Sequence, residues 1–467
     1  MTEESGFKPE PRPEIVERYE NMLAEGGSYF FDSEEFEEII DYYIDINQAS
    51  KALKAISLAE RHYPFSVGFL LRKAQILSST GNTKEALNIL SNAEAIEPQN
   101  PEIYMVRGGT YSIMGLSDQA IDCFKEAARL DTGHRDEIYL YMAYEYENIS
   151  QFDNAIFYLK KSLAANPDNS SALYEISYCF DNVNQDSAAI EFFEKFLDEN
   201  PYSESAWFNL GLSYSRAGKY EKAIEAYDYA LAIDENFSSA MFNKGNALAH
   251  LERFEEALAT FEETLNHEDP DALTFYYLGE CYEKMLNLYH SMIHYSKSTS
   301  LDPKFSDAWV GMGMVLDLQN RIGEGIHYIK KGLELSPHTA EFWHIYGDVQ
   351  HRLGFLEEGE QAYRKSLELD PECEECWIDL ASVLIDQEQD NDAMEALSEG
   401  VKCNPGSASL QYRLASLLIS SGQRQTALEY LHNALSMDFE NHEQLFQFHP
   451  ELKENSVLCE VIDSYRK

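Results

Sequence analysis

A period of 34 residues runs through this chain, and it constrains the fold more than any other feature. Units begin at 33, 67, 101, 136, 170, 204, 238, 272, 306, 340, 374 and 408. Every step is 34 residues except that from 101 to 136, which is 35, and the extra residue falls in the segment DTGHRD. A unit of this length supplies two amphipathic helices and cannot bury its apolar face alone, so neighbouring units must stack. The length of 467 residues would otherwise suggest about three globular domains, yet no Gly/Ser-rich or Pro-rich linker divides the sequence.

Small residues recur where two helices must approach. The eighth position is Ala74, Gly108, Ala143, Ser177, Gly211, Gly245, Gly279, Gly313, Gly347, Ala381 and Ala415, with only Ile40 of the first unit departing. The twentieth is Ala, Ser or Gly in all twelve units, from Ala52 to Ala427. Bulk at either position would push the helices beyond the roughly 8–10 Å spacing of packed pairs. Large residues surround them: Trp207, Trp309, Trp343 and Trp377 at position four, and Tyr111, Tyr214 and Tyr282 at position eleven. Proline closes eight units, for example Pro201, Pro303, Pro337 and Pro371. It ends the second helix, because it lacks an N–H and disfavours helix in the residue before it.

The unit from 204 carries Trp207, Leu210, Gly211, Tyr214, Ala223, Tyr227 and Ala230 in one register. This resembles the tetratricopeptide repeat (TPR) family, a 34-residue helix–turn–helix with W-x2-L-G-x2-Y, then A-x3-F, then A and P. The resemblance covers residues 33–441. It implies an all-α fold, a right-handed α-solenoid (superhelix) of twelve TPR helix pairs whose first helices line the concave face. Outside the register, residues 1–32 hold an acidic arm and a leading helix, with Ile15, Val16, Tyr19, Met22 and Leu23 on one face and Gly26–Gly27 ending it. Residues 442–467 place Val457, Leu458, Val461, Ile462 and Tyr465 at helical spacing, as a C-terminal capping helix for the last apolar face.

Charge narrows the partners. Asp and Glu number 82 against 36 Lys and Arg, a formal charge of −46, while 44% apolar content is too high for a disordered polyanion. Nucleic acids and anionic membrane surfaces both select Lys and Arg, so neither is expected as a direct partner. With no run of 18 apolar residues and an N-terminus lacking a basic and an apolar region, the expectation is a soluble, cytoplasmic protein. Seven scattered cysteines do not frame a disulfide scaffold.

The resemblance implies that another polypeptide binds in the concave groove. Position five there is Leu140, Tyr174, Phe208, Phe242 and Tyr276, and position nine includes Tyr144 and Tyr178. Aromatics favour interfaces because they bury much area with few torsions to freeze; the competing reading is that they pack within the solenoid. Beside them Asn209, Asn243 and Asn246 offer donors and acceptors to an extended backbone, similar to the asparagine ladder of O-linked N-acetylglucosamine transferases, with ordinary surface polarity as the alternative. The Lys/Asn/Arg clamp by which other family members grip chaperone C-termini is missing from the central units. Glu137, Glu147, Glu175, Asp181, Glu280 and Glu283 would repel a carboxylate and suit a basic segment. Residues 1–46 carry fourteen acids against Lys8, Arg12 and Arg18, which reads as a solvated face or as an arm for a basic partner.

Three constellations invite chemistry. His344, Asp348 and His351 lie at i, i+4 and i+7 and could share a metal, but polar groove lining is the default and no metal is assigned. His290 and His294 lack the Glu of a zincin helix. Cys373 and Cys376 form a single CxxC, whereas structural zinc takes four ligands. No nucleotide-binding fingerprint occurs. The chain therefore reads as a non-catalytic scaffold or adaptor without cofactor, binding an extended or helical, basic or apolar polypeptide segment. The alternatives are an assembly factor for a larger secretion, envelope or translation complex, and the recognition subunit of an enzyme; exposed aromatics of SYFFDSEEF raise a homo-oligomeric scaffold as a weaker idea.

Overall fold

The computed structural model describes residues 13–25, 29–131, 133–267 and 271–466. Among the described residues the regular structure is helical, twenty-six α-helices and two short 3-10 turns. They fall into two compact units, Met1–Phe237 and Ser238–Lys467, each holding six helix pairs.

In the N-terminal unit, the leading helix α1 (Glu14–Glu25) precedes the pairs α2/α3 (Ser33–Asp45, Ala49–His62), α4/α5 (Val67–Ser79, Thr83–Ile96) and α6/α7 (Pro101–Ile113, Ser117–Leu130). The pairs α8/α9 (Arg135–Asn148, Phe152–Ala165), α10/α11 (Ser170–Asn182, Asp186–Glu199) and α12/α13 (Glu204–Arg216, Tyr220–Ile233) follow. The C-terminal unit holds α14/α15 (Ser238–His250, Phe254–His267), α16/α17 (Ala272–Lys284, Leu288–Leu301) and α18/α19 (Ser306–Leu318, Ile322–Leu335). It continues with α20/α21 (Ala340–Arg352, Leu356–Leu369), α22/α23 (Glu374–Asp386, Asp390–Cys403) and α24/α25 (Ala408–Ser420, Arg424–Met437), then the turns His442–Phe446 and Pro450–Glu454, and α26 (Ser456–Tyr465).

The small eighth position has a specific counterpart. A Cβ added to Gly211 would sit 2.4 Å from the Tyr227 ring, and one on Gly245, Gly279 or Gly347 would sit 2.6–2.7 Å from Phe261, Tyr295 or Tyr363. The second helix thus lays an aromatic ring directly on the backbone of the first. At position four, Trp207, Trp309, Trp343 and Trp377 donate their indole N–H to the carbonyls of Pro201, Pro303, Pro337 and Pro371 at 2.9–3.0 Å. That bond ties each closing proline to the next unit. Between the helices of a pair, position fifteen has a positive φ in all twelve units: Gly81, Gly115, Gly218, Gly354 and Gly422, but also Asn47, Ser150, Asn184, Glu252, Leu286, Asn320 and Glu388.

The core is a series of local clusters within each unit, as expected where every pair packs on its neighbours. Val16, Tyr19 and Met22 of α1 are buried against α2 and α3. Leu23, expected on the same face, is instead 56% exposed, because it lies one helical step past the contact. Gly26 and Gly27 lie outside the described residues. At the other end Leu445, Phe446, Leu452, Leu458 and Ile462 cover α24 and α25, although two 3-10 turns come before the helix. Within each unit first helices touch first helices (α2–α4, α4–α6, α8–α10 and α10–α12; α14–α16, α16–α18, α20–α22 and α22–α24), while among the described residues no two successive second helices meet to the same extent. First helices therefore line the inner face of each unit.

Candidate functional site

The inner face of the N-terminal unit opens between α6 and α8. These two first helices do not touch as α4 and α6 do, and the single 35-residue step of the repeat falls between them. The added residue lengthens α8 to 14 residues, where every other first helix in its unit has 13. Between them lies a cavity of about 310 Å³, lined by Gln75 and Ser78 of α4, Met105, Val106, Gly109, Thr110 and Ile113 of α6, Phe124 of α7 and Tyr141 of α8.

Two adjacent glycines give α6 this shape. A Cβ on Gly108 would meet Phe124 at 2.5 Å, whereas one on Gly109 would meet nothing within 4 Å. Gly108 admits the second helix, and Gly109 leaves a hole on the inner face. The polar groups of the wall satisfy each other: the Ser78 and Thr110 hydroxyls are 2.8 Å apart, and Thr110 donates to the Val106 carbonyl at 2.7 Å. What faces the cavity is therefore largely apolar. Met105 also borders two neighbouring openings, one of about 370 Å³ with Asp41, Arg72 and Glu102, the other of about 1020 Å³ with Glu102, Asp131, His134 and Glu137. The cations there are engaged. Arg72 is held by Asp41 at 2.7 and 2.8 Å and by Glu37 at 3.3 Å, and His134 by Asp131 at 3.0 Å. An apolar hole thus sits inside an acidic rim.

Further along the same face, Tyr174 and Tyr178 of α10 are 61% and 48% exposed. Leu140 and Tyr144 of α8 are half-buried. Two expected groove residues present no useful surface: Phe208 is buried between Tyr227 and Phe237, ring centroids 6.0 and 4.9 Å away, and Asn209 is 2% exposed, its amide donating to the Ser205 carbonyl at 2.8 Å. Position six of α12 points into the stack, which periodicity alone does not distinguish from the open side. In the C-terminal unit Phe242 lies against Phe261 and Tyr277, and Tyr276 against Tyr295 and Phe305, so both serve packing first. Asn243 donates to the Ser239 carbonyl at 2.8 Å, and the Asn246 side-chain carbonyl is buried without a partner.

The acids are partly neutralised by burial. Glu147 lies beside Glu175 and accepts from the Cys179 thiol at 3.2 Å; desolvation lifts its carboxyl to about 7 and raises Glu175 as well. Glu280 and Glu283 are raised by burial too, and Glu283 accepts from Tyr295 at 2.8 Å. Asp181 lies 3.4 Å from Arg216.

TPR family models match residues 101–134, 205–272 and 300–456, together more than half of the chain. The chain belongs to the tetratricopeptide repeat family. A further family model, anaphase-promoting complex, cyclosome, subunit 3, matches residues 148–230. No curated protein matches in sequence. Similar solved structures include the APC/C hetero-tetramer Cut9–Hcn1, at 14% identity over 89% of this chain and 92% of that one, with a TM-score of 0.44. YrrB, described as a TPR protein with an unusual peptide-binding site, is 23% identical over 40% of this chain and 95% of its own (TM-score 0.31). MamA is 18% identical over 35% and 95% (TM-score 0.31). As a TPR protein the chain is a non-catalytic scaffold for protein–protein interaction. Among the described residues no helix is long and apolar enough to cross a membrane.

Within the TPR array the expected histidine triad separates. His344 bonds Asp379 of the next pair at 2.8 Å and lies 3.8 Å from Asp348, while His351 bonds Asp386 at 2.7 Å. His290 is held by Asn287 at 2.9 Å, and burial pushes His294 down to about 4, so it is neutral near pH 7. Cys376 is buried, with its thiol lifted to about 12, and all seven cysteines are free. Sequence reasoning missed Gly109 and Asp379. The Gly108–Gly109 doublet beside the one irregular step was the available signal for the first; nothing in the spacing pointed to the second.

Proposed function

We propose that this TPR scaffold binds a polypeptide segment along the inner face of its N-terminal unit. A large apolar side chain of that segment enters the hole over Gly109, and neighbouring Lys or Arg side chains meet Glu102 and Glu137 on the rim. Tyr141, Tyr174 and Tyr178 extend the contact, with Leu140 and Tyr144 at its edge. The observation that carries this reading is the Gly109 opening. A glycine in a helix interior costs about 0.8–1 kcal/mol relative to alanine, and here no neighbour requires it. The cavity lies within the size range of a buried anchor, and the charge around it selects cations by long-range attraction that salt screens. In the C-terminal unit Phe242, Asn243, Asn246 and Tyr276 are secondary contact candidates on that unit's own inner face.

Selection of random heptapeptides on the full chain tests the reading. Enriched sequences should pair Phe, Leu, Met or Trp with adjacent Lys or Arg, and their binding should weaken as salt rises. Gly109→Leu, which fills the hole, should abolish the enrichment. Selection of acidic peptides, or an unchanged selection by Gly109→Leu, refutes it.

A further inference from the structure

We infer that His344, Asp348 and Asp379 bind one divalent first-row transition ion, of the zinc or cobalt kind, on the inner face of the C-terminal unit. His344 and Asp348 are one turn apart on α20, so their side chains leave the same face. Asp379 comes from α22, which touches α20. The donor atoms already converge: His344 Nε2 is 2.8 Å from Asp379 Oδ2 and 3.8 Å from Asp348 Oδ1, and one donor atom of each residue lies within 4.8 Å of the others. Zinc with bonds of about 2.0–2.2 Å in a tetrahedron needs donors roughly 3.4 Å apart, so side-chain torsions of α20 and α22 can close the set without moving backbone. The buried Tyr363 donates to Asp348 Oδ1 at 2.7 Å and fixes that carboxylate, the kind of outer bond that orients metal ligands. One imidazole nitrogen and two carboxylate oxygens suit zinc or cobalt better than calcium or magnesium, which take oxygen sets.

Neutral His344 and two carboxylates give −2, matched by a divalent ion. Where His344 carries a proton between the aspartates, ion binding releases that proton to solvent, so affinity rises with pH. The competitor is this protonated ion pair, which needs no metal. His344 is raised mainly by its bond to Asp379 and Asp348 is raised by burial. The other charges facing the group are Glu375 near His344, His351, which bonds Asp386, and the half-buried Arg413 of α24, whose charge acts on Asp379. Arg413 opposes a cation and so limits affinity. The site does not depend on the peptide-binding proposal, since it lies in the other unit.

The test is titration of the full, chelator-treated chain with cobalt(II) chloride at pH 7.5, followed by visible absorption, and then with zinc chloride. One equivalent of cobalt should produce a band that zinc displaces, and zinc should raise the melting temperature. His344→Gln and Asp379→Asn should each weaken binding by about tenfold or more. His351→Gln should leave it unchanged, and Arg413→Gln should tighten it. A wild-type chain that neither develops the band nor melts higher with zinc overturns the inference whatever the variants do. A band that survives both His344→Gln and Asp379→Asn overturns it too, and a metal-independent role for the cluster as an ion pair is then what stands.

Discussion

Two adjacent glycines should respond to the same substitution with opposite signs. Replacing Gly109 by Ala adds a methyl that meets nothing within 4 Å, in the middle of α6. The helix then gains the propensity difference of about 0.8–1 kcal/mol, part of it through a less flexible unfolded chain. Replacing Gly108 gains the same term but sets a carbon 2.5, 2.8 and 2.8 Å from three atoms of the Phe124 ring, where carbon pairs prefer about 3.5–4.0 Å. Moving that ring by roughly an ångström is overpacking of the kind that costs about 1–3 kcal/mol. The net change for Gly108→Ala therefore lies between about zero and 2 kcal/mol of destabilisation, and the two variants should differ by about 1–3 kcal/mol. Because repeat arrays need not unfold in one step, urea denaturation should be paired with amide hydrogen exchange resolved on α6 and α7. Exchange should slow in Gly109→Ala and quicken in Gly108→Ala. If Gly109→Ala destabilises the helix, the space over it is not open, and both the cavity and the function argued from it fail. If it stabilises while weakening the selected peptide, stability is being given up at this residue for binding.

Three further outcomes follow from the same structure. Leu286 has φ +57° and is 72% exposed; a left-handed backbone costs an L-residue about 1–2 kcal/mol, so Leu286→Gly should raise the urea midpoint by up to about 1 kcal/mol of stability once glycine's unfolded-state entropy is subtracted. Glu147 has a folded-state carboxyl near 7, above its ordinary value. Its protonation thus favours the fold fully below about pH 4.5, and that contribution is lost as pH rises through 7. Between pH 5 and 8 the N-terminal unit should lose stability, and Glu147→Gln should flatten the loss. The pair Tyr174→Ala and Tyr178→Ala should change stability by less than about 0.5 kcal/mol each, as exposed positions do, while weakening the selected peptide by about tenfold or more.

How far the sequence could be read depended on whether a residue's role was repeated. Positions eight and twenty recur with the same small types, so the close approach of paired helices was legible, and the proline that closes a unit likewise marked the end of its second helix. The ring that covers position eight, such as Tyr227 on Gly211, required knowing which face the second helix presents. The turn at position fifteen was hidden because its chemistry varies: Gly81 announces a left-handed backbone, whereas Leu286 and Glu388 adopt it only because the helices on either side impose it. Groove residues were least legible. Phe208 and Tyr174 share position five, yet the first is covered by Phe237 from the turn after α13 and the second is open. That difference comes from neighbours far along the chain and leaves no local mark.

On the proposed function, positions eight and nine divide packing from recognition. Consecutive helical residues are about 100° apart around the axis, so a first helix that turns position eight onto its partner turns position nine to the inner face. Position eight is confined by the second-helix side chain that overlies it, a ring over Gly108, Gly211, Gly245, Gly279 and Gly347 but Ile329 over Gly313, and it is Gly, Ala or Ser in eleven units. Position nine is half-buried or exposed in every repeat but the last, and it is the most diverse of the inner positions: Asp41, Gln75, Gly109, Tyr144, Tyr178 and Leu212 in one unit, Asn246, Glu280, Met314, Asp348, Ser382 and the buried Ser416 in the other. The hole over Gly109 and the carboxylate of Asp348 both belong to this series. A scaffold built this way can exchange what it binds without disturbing how it stacks, because the two demands fall on neighbouring residues that face different ways. Exchanging position-nine residues between repeats should therefore move binding with little change in stability, whereas the same larger side chains placed at position eight should destabilise the pair.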